Sequence, residues 1–169
     1  MSKLQDLNRR GAEDAEDDLL RCCGSQRWAA AMVARRPFAS KEELLKAADE
    51  EWFKLAYHDW LEAFSHHPRI GERVKSGTQE SREQSGTKGA SDATMLSLES
   101  MNRLYEQKFG FVFLIFATGK SADEMADALR LRLQNRREVE LKNAAAEQAK
   151  ITRLRLEKLL GADPSLRSG

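Results

Sequence analysis

Residues 40–55 read SKEELLKAADEEWFKL and predict an amphipathic helix. Ser40 suits the N-cap of a helix, and Glu43 stands three positions later, where a capping box places its acid. The apolar residues that follow are spaced by one, three and four positions, so that they share one face; they are Leu44, Leu45, Ala48, Trp52 and Leu55. A face of this kind packs against a hydrophobic core.

Helical spacing extends to both sides of this stretch. Upstream, the pattern over Leu19–Arg35 predicts one helix, which ends before Pro37 because proline disfavours helical conformation in the residue that precedes it. Downstream, the pattern continues through Phe64 and breaks at Pro68. Two later stretches repeat it: one from Met95 to Tyr105, and one from Ala122 to about Leu160, which forms one helix or two that divide near Asn135.

The periodicity of one apolar run fits a buried strand as well as a buried helix. Residues 109–117 read FGFVFLIFA, and Gly110, Gly119 and the density of aromatic residues favour a short extended segment at the centre of the protein. Ser121, with Glu124 three positions later, predicts the start of a new helix. The sequence therefore predicts an all-α fold: one compact domain over residues 1–169, with about seven to nine helices and one short extended apolar segment.

The composition limits the classes to which the chain can belong. Its 28 basic and 27 acidic residues leave a net charge of +1, which argues against a dedicated nucleic-acid-binding protein. Cys22 and Cys23 are adjacent and too few for a disulfide scaffold or, alone, for a zinc site. No apolar stretch is long enough to span a bilayer, and the first ten residues lack the apolar core of a signal peptide. We expect a cytoplasmic protein without nucleic-acid or membrane partners.

A histidine before a proline is the first candidate for chemistry. Pro68 moves His67 out of helical conformation and into a turn at the end of a core helix, where a rigid base can present an imidazole. A capping or merely exposed histidine is the alternative at this position, and we expect His58, within a helix, to be structural or exposed. A metal site is less favoured, because the adjacent His66 and His67 seldom both reach one ion and the HExxH spacing is absent. Nucleotide-binding glycine motifs and the GxSxG turn are absent too.

Arg155 is the second candidate, because of its position on a helix. Its neighbours four positions away are Ile151 and Leu159, so it lies on an apolar stripe, where a guanidinium needs an anion. Either a protein carboxylate, such as that of Glu140, or a ligand could supply that anion, and the residues alone do not choose. Arg153, by contrast, has Glu157 four positions later and predicts a surface ion pair.

Three motifs occur in order along the chain. They are HHPRIGE at residues 66–72, EQSG at residues 83–86 and NRLYEQKFGFVF at residues 102–113. Together they closely resemble the 2-oxo-4-hydroxy-4-carboxy-5-ureidoimidazoline (OHCU) decarboxylase family of urate degradation. The resemblance covers residues from about 15 to 160 and is specific because the motifs occur together.

This resemblance implies an activity and an assembly. It implies an all-helical homodimer that needs neither a cofactor nor a metal. It also implies that the substrate loses CO2 from its carboxylate and becomes (S)-allantoin. Two alternatives from other classes stay open on the residues alone: a non-enzymatic helical interaction module, and a metal-dependent hydrolase.

The resemblance also implies a set of site residues. His67 matches the catalytic imidazole and Pro68 a neighbouring binding position, while Glu83 and Gln84 match the acid–amide pair of the pocket. The arginine that holds the substrate matches Arg155. The segment whose main chain contacts the substrate ring matches Phe113, Leu114, Ile115, Phe116 and Ala117. The family has serine three residues before the pocket glutamate, whereas this chain has Glu80 there and Ser81 two residues before it.

These residue types suit a decarboxylation. Loss of CO2 leaves an electron pair in the ring, and a carbon must then be protonated on one face. An imidazolium at His67 can supply that proton, a contribution of roughly 10²–10⁴-fold. A carboxylate such as Glu83 favours the charged imidazole, and the planar fork of an arginine suits a planar anion or a urea oxygen.

Overall fold

The computed structural model describes residues 2–71, 79, 83–87 and 89–161, and within them the regular structure is entirely helical. Eight α-helices occur in these residues: α1 (Lys3–Arg9), α2 (Ala12–Leu20), α3 (Gln26–Ala34), α4 (Lys41–Phe53), α5 (Tyr57–Phe64), α6 (Asp92–Phe109), α7 (Ala122–Arg132) and α8 (Arg137–Leu159). A 3-10 turn, Ser85–Thr87, precedes α6. The prediction of an all-α fold is confirmed.

The chain divides into two compact units. The first contains residues up to 63 and those from 149 onward, and the second contains residues 64–148. The helix α8 begins in the second unit and ends in the first. The assignment of residues 1–169 to one domain stays a prediction. None of the helices in the described residues is long and apolar enough to cross a membrane.

In the first unit, α2 packs on α3 and α3 packs on α4. The indole of Trp28 donates a hydrogen bond to the carbonyl of Ala48 at 3.0 Å, which ties α3 to α4 across the core. Cys22 and Cys23 are buried free thiols, and burial raises the pKa of each to about 12. Both are therefore neutral core side chains at ordinary pH.

The prediction of one helix over Leu19–Arg35 is wrong. The structure has α2 and α3 there, with a break between them at Ser25, whose hydroxyl accepts a hydrogen bond from the amide of Trp28 at 3.2 Å. Ser25 has extended backbone angles, as an N-cap requires. The start of α3 was not predicted because the apolar residues before and after Ser25 both keep helical spacing.

The helical pattern of residues 40–64 is also divided, into α4 and α5. Ser40 caps α4 as predicted, by accepting from the amide of Glu43 at 3.1 Å. At the other end the carbonyl of Trp52 accepts from the indole of Trp60 and from the amide of Leu55. These donors replace the amide four residues on that would continue the helix, and α4 ends at Phe53.

In the second unit, α6 packs on α7. Gly110 ends α6 in the left-handed conformation, with φ of +82°. Residues 112–117 then form no helix, and Ser121 and Glu124 make both hydrogen bonds of a capping box at the start of α7. The non-helical apolar segment therefore connects two helices, as the sequence predicts. The break predicted near Asn135 separates α7 from α8.

Candidate functional site

His67 lies in the turn that follows α5, and its imidazole is held in place. Its backbone N donates to the carbonyl of Phe64 at 3.2 Å. Nε2 of the ring lies 2.7 Å from Oε1 of Gln148, a residue of α8 that is fully buried, at 0% exposure. The other two histidines are exposed, with 73% of the His58 side chain accessible. The turn therefore presents a single oriented, half-buried imidazole.

Three side chains fix the turn that carries His67. Both oxygens of Glu106 accept from the guanidinium of Arg69, at 2.6 and 3.0 Å. The amide of Asn102 donates to the carbonyl of Ile70 at 2.8 Å. Asn102 and Glu106 are one helical turn apart on α6, so the third motif of the sequence holds the first motif in position.

The predicted acid–amide pair adjoins the same turn. Oε1 of Gln84 accepts from the amide of Gly71 at 3.2 Å, and Gln84 is buried. Gly71 has φ of +85°, a conformation that favours glycine. Glu83 is half-buried beside Gln84. The predicted positions Glu80 and Ser81 lie outside the described residues.

Gly86 joins the acid–amide pair to the apolar segment. A Cβ added to Gly86 would overlap the carbonyl oxygen of Lys120. The backbone of the 3-10 turn therefore lies directly against the chain that follows residues 113–117. Only glycine permits this approach without a backbone shift.

The main chain of residues 113–117 is anchored at two points. The side chains of these residues are mostly buried. Nη1 of Arg132 donates to the carbonyl of Leu114 at 2.6 Å, and the guanidinium lies 4.7 Å from the centre of the Phe113 ring. The amide of Phe116 donates to Oε1 of Glu147 at 3.0 Å. The contact of this main chain with a substrate ring stays a prediction.

A buried carboxylate, that of Glu140, forms a hydrogen-bonded ion pair with Arg132. Its Oε1 accepts from Nε of Arg132 at 2.8 Å and from the hydroxyl of Tyr105 at 2.5 Å. Its Oε2 accepts from the amides of Asn135 and Asn143, each at 2.8 Å. Burial alone would raise the pKa of Glu140, but these hydrogen bonds and the charge of Arg132 outweigh it and hold the pKa below its usual value.

Arg155 belongs to the first unit and lies inward as predicted. Only 8% of Arg155 is exposed, and its charge lies near the buried thiols of Cys22 and Cys23. The side chain of Arg153 is 57% exposed, and its Nε lies 3.4 Å from Oε1 of Glu157. Arg155 is thus buried and Arg153 exposed, as their positions on the helix predict. The role of Arg155 in holding a substrate stays a prediction.

Two residues of the site were not predicted from the sequence: Glu147 and Gln148. For Gln148 a signal was present in the sequence, because Ala145 and Ile151 lie three positions away on either side and both are apolar. The same reasoning that singles out Arg155 therefore applies to Gln148. Among the described residues, no three His, Cys, Asp or Glu side chains are grouped so that they could hold a metal ion.

Comparisons with known proteins agree with the motifs. A family model described as OHCU decarboxylase matches residues 8–157. The uric acid degradation bifunctional protein TTL of Arabidopsis thaliana is 41% identical over 154 residues, which are 87% of this chain and 48% of that protein. The 2-oxo-4-hydroxy-4-carboxy-5-ureidoimidazoline decarboxylase of Mus musculus is 33% identical over 146 residues, which are 79% of each chain.

A solved structure is similar over most of its length. A crystal structure of OHCU decarboxylase in the presence of (S)-allantoin has a TM-score of 0.78 and 41% identity, covering 86% of this chain and 98% of that one. The chain spans about half the length of the Arabidopsis relative and about a third of the length of two bacterial bifunctional relatives.

Proposed function

This chain belongs to the OHCU decarboxylase family, and on that premise we propose that it converts 2-oxo-4-hydroxy-4-carboxy-5-ureidoimidazoline to (S)-allantoin in urate degradation. The observation that carries the proposal is the anchoring of the His67 turn. The amide of Gly71 in this turn donates to Gln84, and the adjoining 3-10 turn lies against the carbonyl of Lys120. The imidazole that the turn carries is oriented by its hydrogen bond to Gln148. This arrangement supports a proton donor beside a binding surface made of main chain.

The proposed reaction needs one proton and no redox partner. The bond between the ring carbon and the carboxylate breaks, CO2 leaves, the freed electron pair forms a C=C bond to the carbon that bears the ureido group, and the C=N pair of that carbon moves to the ring nitrogen. A proton then adds to the carbon that bears the ureido group, the hydroxyl becomes a carbonyl, and the hydroxyl proton passes to the ring nitrogen, so that one proton is consumed overall. Addition on one face alone gives a single enantiomer, so the proton donor must be fixed in position.

His67 is the proposed donor, as a general acid. Glu83 would favour the charged imidazole and accept a substrate hydroxyl or N–H. Pro68 and Gln84 would bind the substrate beside it, and Arg155 would hold a planar anion or urea oxygen with two parallel hydrogen bonds. The main chain of residues 113–117 would meet the donors and acceptors of the flat ring.

We also propose a homodimer in the cytoplasm that needs no cofactor. The dimer rests on the family resemblance. The cytoplasmic location is supported by the free thiols of Cys22 and Cys23, which suit a reducing compartment. Light scattering of the purified protein tests the homodimer, and a mass near that of one chain would contradict it. Cell fractionation tests the cytoplasmic location.

The activity is tested with substrate made freshly by enzymatic oxidation of urate. Substrate that decays alone is protonated on either face and gives racemic allantoin, whereas the protein should speed the decay and yield optically active allantoin. Circular dichroism follows the product. The protein is first treated with a chelator, so that unchanged activity supports the cofactor-free decarboxylase. Activity that a chelator removes and a metal restores would instead indicate the metal-dependent alternative.

A further inference from the structure

We propose that Gln148 is a positioning residue for the decarboxylation: it fixes the imidazole of His67 with its proton on Nε2, so that Nδ1 exchanges the proton with the substrate. This inference rests on the proposed function for its consequence in catalysis. The hydrogen bond on which it is built does not depend on that function. It is the 2.7 Å contact between Nε2 of His67 and Oε1 of Gln148.

The chemistry of the contact sets the position of the proton. An amide oxygen only accepts hydrogen bonds, so the ring nitrogen that meets it must carry a hydrogen. A neutral imidazole has one N–H, and the bond to Gln148 therefore assigns it to Nε2. When the ring is charged, Nε2 still donates to Gln148 and the second proton is on Nδ1. Gain and loss of a proton at Nδ1 then leave the bond to Gln148 intact.

The surroundings of Gln148 make this orientation firm. The residue is fully buried at 0% exposure and belongs to α8, a helix of 23 residues. Turning the Gln148 side chain away from the ring would break its hydrogen bond to Nε2 at a buried position, and such a loss is costly. The preceding residue, Glu147, bonds to the amide of Phe116. Consecutive residues of α8 thus hold the imidazole and the segment proposed to bind the ring.

A neutral acceptor suits a proton donor better than a carboxylate would. A carboxylate on Nε2 strongly stabilises the imidazolium and makes its proton harder to transfer. Gln148 supplies orientation without a full charge. Gln148 would thereby set the tautomer, while the proposed function assigns to Glu83 the role of favouring the charged ring.

The first test reads the tautomer directly and needs no activity. In a protein with His58→Asn and His66→Asn, both at exposed positions, the remaining imidazole is that of His67. Its ¹⁵N NMR spectrum at high pH should show a protonated Nε2 and an unprotonated Nδ1. Gln148→Met, of similar length but without an acceptor, should give a mixture of tautomers. A wild-type ring protonated on Nδ1 would overturn the proposal, because the amide would then be a donor.

The second test measures catalysis. Gln148→Met should lower kcat about tenfold, the loss expected from one buried hydrogen bond, with little change in KM. Gln148→Glu restores an acceptor and should recover the Nε2–H tautomer and part of the lost kcat. If Gln148 served only packing, Gln148→Glu would be no better than Gln148→Met, and that result would also overturn the proposal.

A matched control is available on the same helix. Thr152 is buried one turn after Gln148, and its hydroxyl interacts with Cys23. Thr152→Val should leave both the tautomer and kcat as in the wild type. If the wild-type protein has the Nε2–H tautomer but does not consume the substrate, the proposed function fails and the assignment of the proton stands. The two failures are therefore distinguishable.

Discussion

Oε1 of Glu147 accepts a hydrogen bond from the backbone N of Phe116 at 3.0 Å, and so ties α8 to the apolar segment of residues 113–117. Arg132 holds the same segment at the carbonyl of Leu114. The segment is therefore kept in position by charged side chains that bond to its main chain, not by a sheet. Removal of one anchor should disturb ligand binding before it disturbs the fold.

Glu147→Ala should raise KM about tenfold and change kcat less, because leaving the half-buried amide of Phe116 without a partner costs about 1–3 kcal/mol and loosens the proposed ring-binding segment. Glu147→Gln keeps an acceptor and should stay within a few-fold of the wild type. Steady-state kinetics measure both. Glu138→Ala, at an exposed position of α8, is the control and should match the wild type. An unchanged KM in Glu147→Ala would mean that the segment does not bind the ring.

His67→Asn should lower kcat by at least about 10²-fold, because the general acid is lost. His66→Asn should remain within a few-fold of the wild type, since His66 is exposed beside the oriented ring. The optical activity of the allantoin gives a second readout, because protonation by solvent from either face yields a racemic product. The opposite order of the two variants would assign the proton donor to His66.

Local patterns predicted much of the fold. Ser40 and Ser121 mark helix starts as expected, because an N-cap needs only residues three positions apart. The division at Ser25 was missed, because apolar residues on both sides of it keep helical spacing and bury together. The end of α4 was missed for a different reason. It depends on the indole of Trp60, which bonds to the carbonyl of Trp52 across the turn.

The candidate site was predicted in part. The motifs indicated His67, Gln84 and the segment of residues 113–117, and the family that they indicated is confirmed. Helical position alone predicted the burial of Arg155. The contact between His67 and Gln148 could not be predicted, because it joins residues 81 positions apart and no local spacing encodes it. Even so, the burial of Gln148 could have been read from its apolar neighbours.

Arg155→Lys should lower kcat/KM at least about tenfold, because it keeps the positive charge but loses the planar fork that suits a planar ligand. The charge near Cys22 and Cys23 is retained, so the melting temperature should change little while the activity falls. Arg153→Met is the matched control on the exposed face of α8 and should be close to neutral in both assays. Full activity with a lowered melting temperature would show that Arg155 is structural and does not hold the substrate.

Glu140 should give the protein a specific sensitivity to acid. Hydrogen bonds and Arg132 hold the pKa of Glu140 below its unfolded value of 4.5, so the folded state favours the carboxylate. A lowered pKa contributes stability that is fully present above pH 4.5 and is lost as the pH falls through the folded value. Glu140→Gln cannot ionise and also leaves Arg132 without its buried anion, which costs about 3–5 kcal/mol at neutral pH.

Urea unfolding of the wild type and Glu140→Gln, at neutral pH and again below pH 4.5, measures this contribution. The wild type should be the more stable protein at neutral pH, and the difference should shrink in acid, because the wild-type carboxyl then binds a proton and loses its advantage over the amide. Glu138→Gln removes an exposed carboxylate from the same helix and should show neither effect. A difference between the two proteins that does not change with pH would mean that packing, not the charge of Glu140, stabilises this cluster.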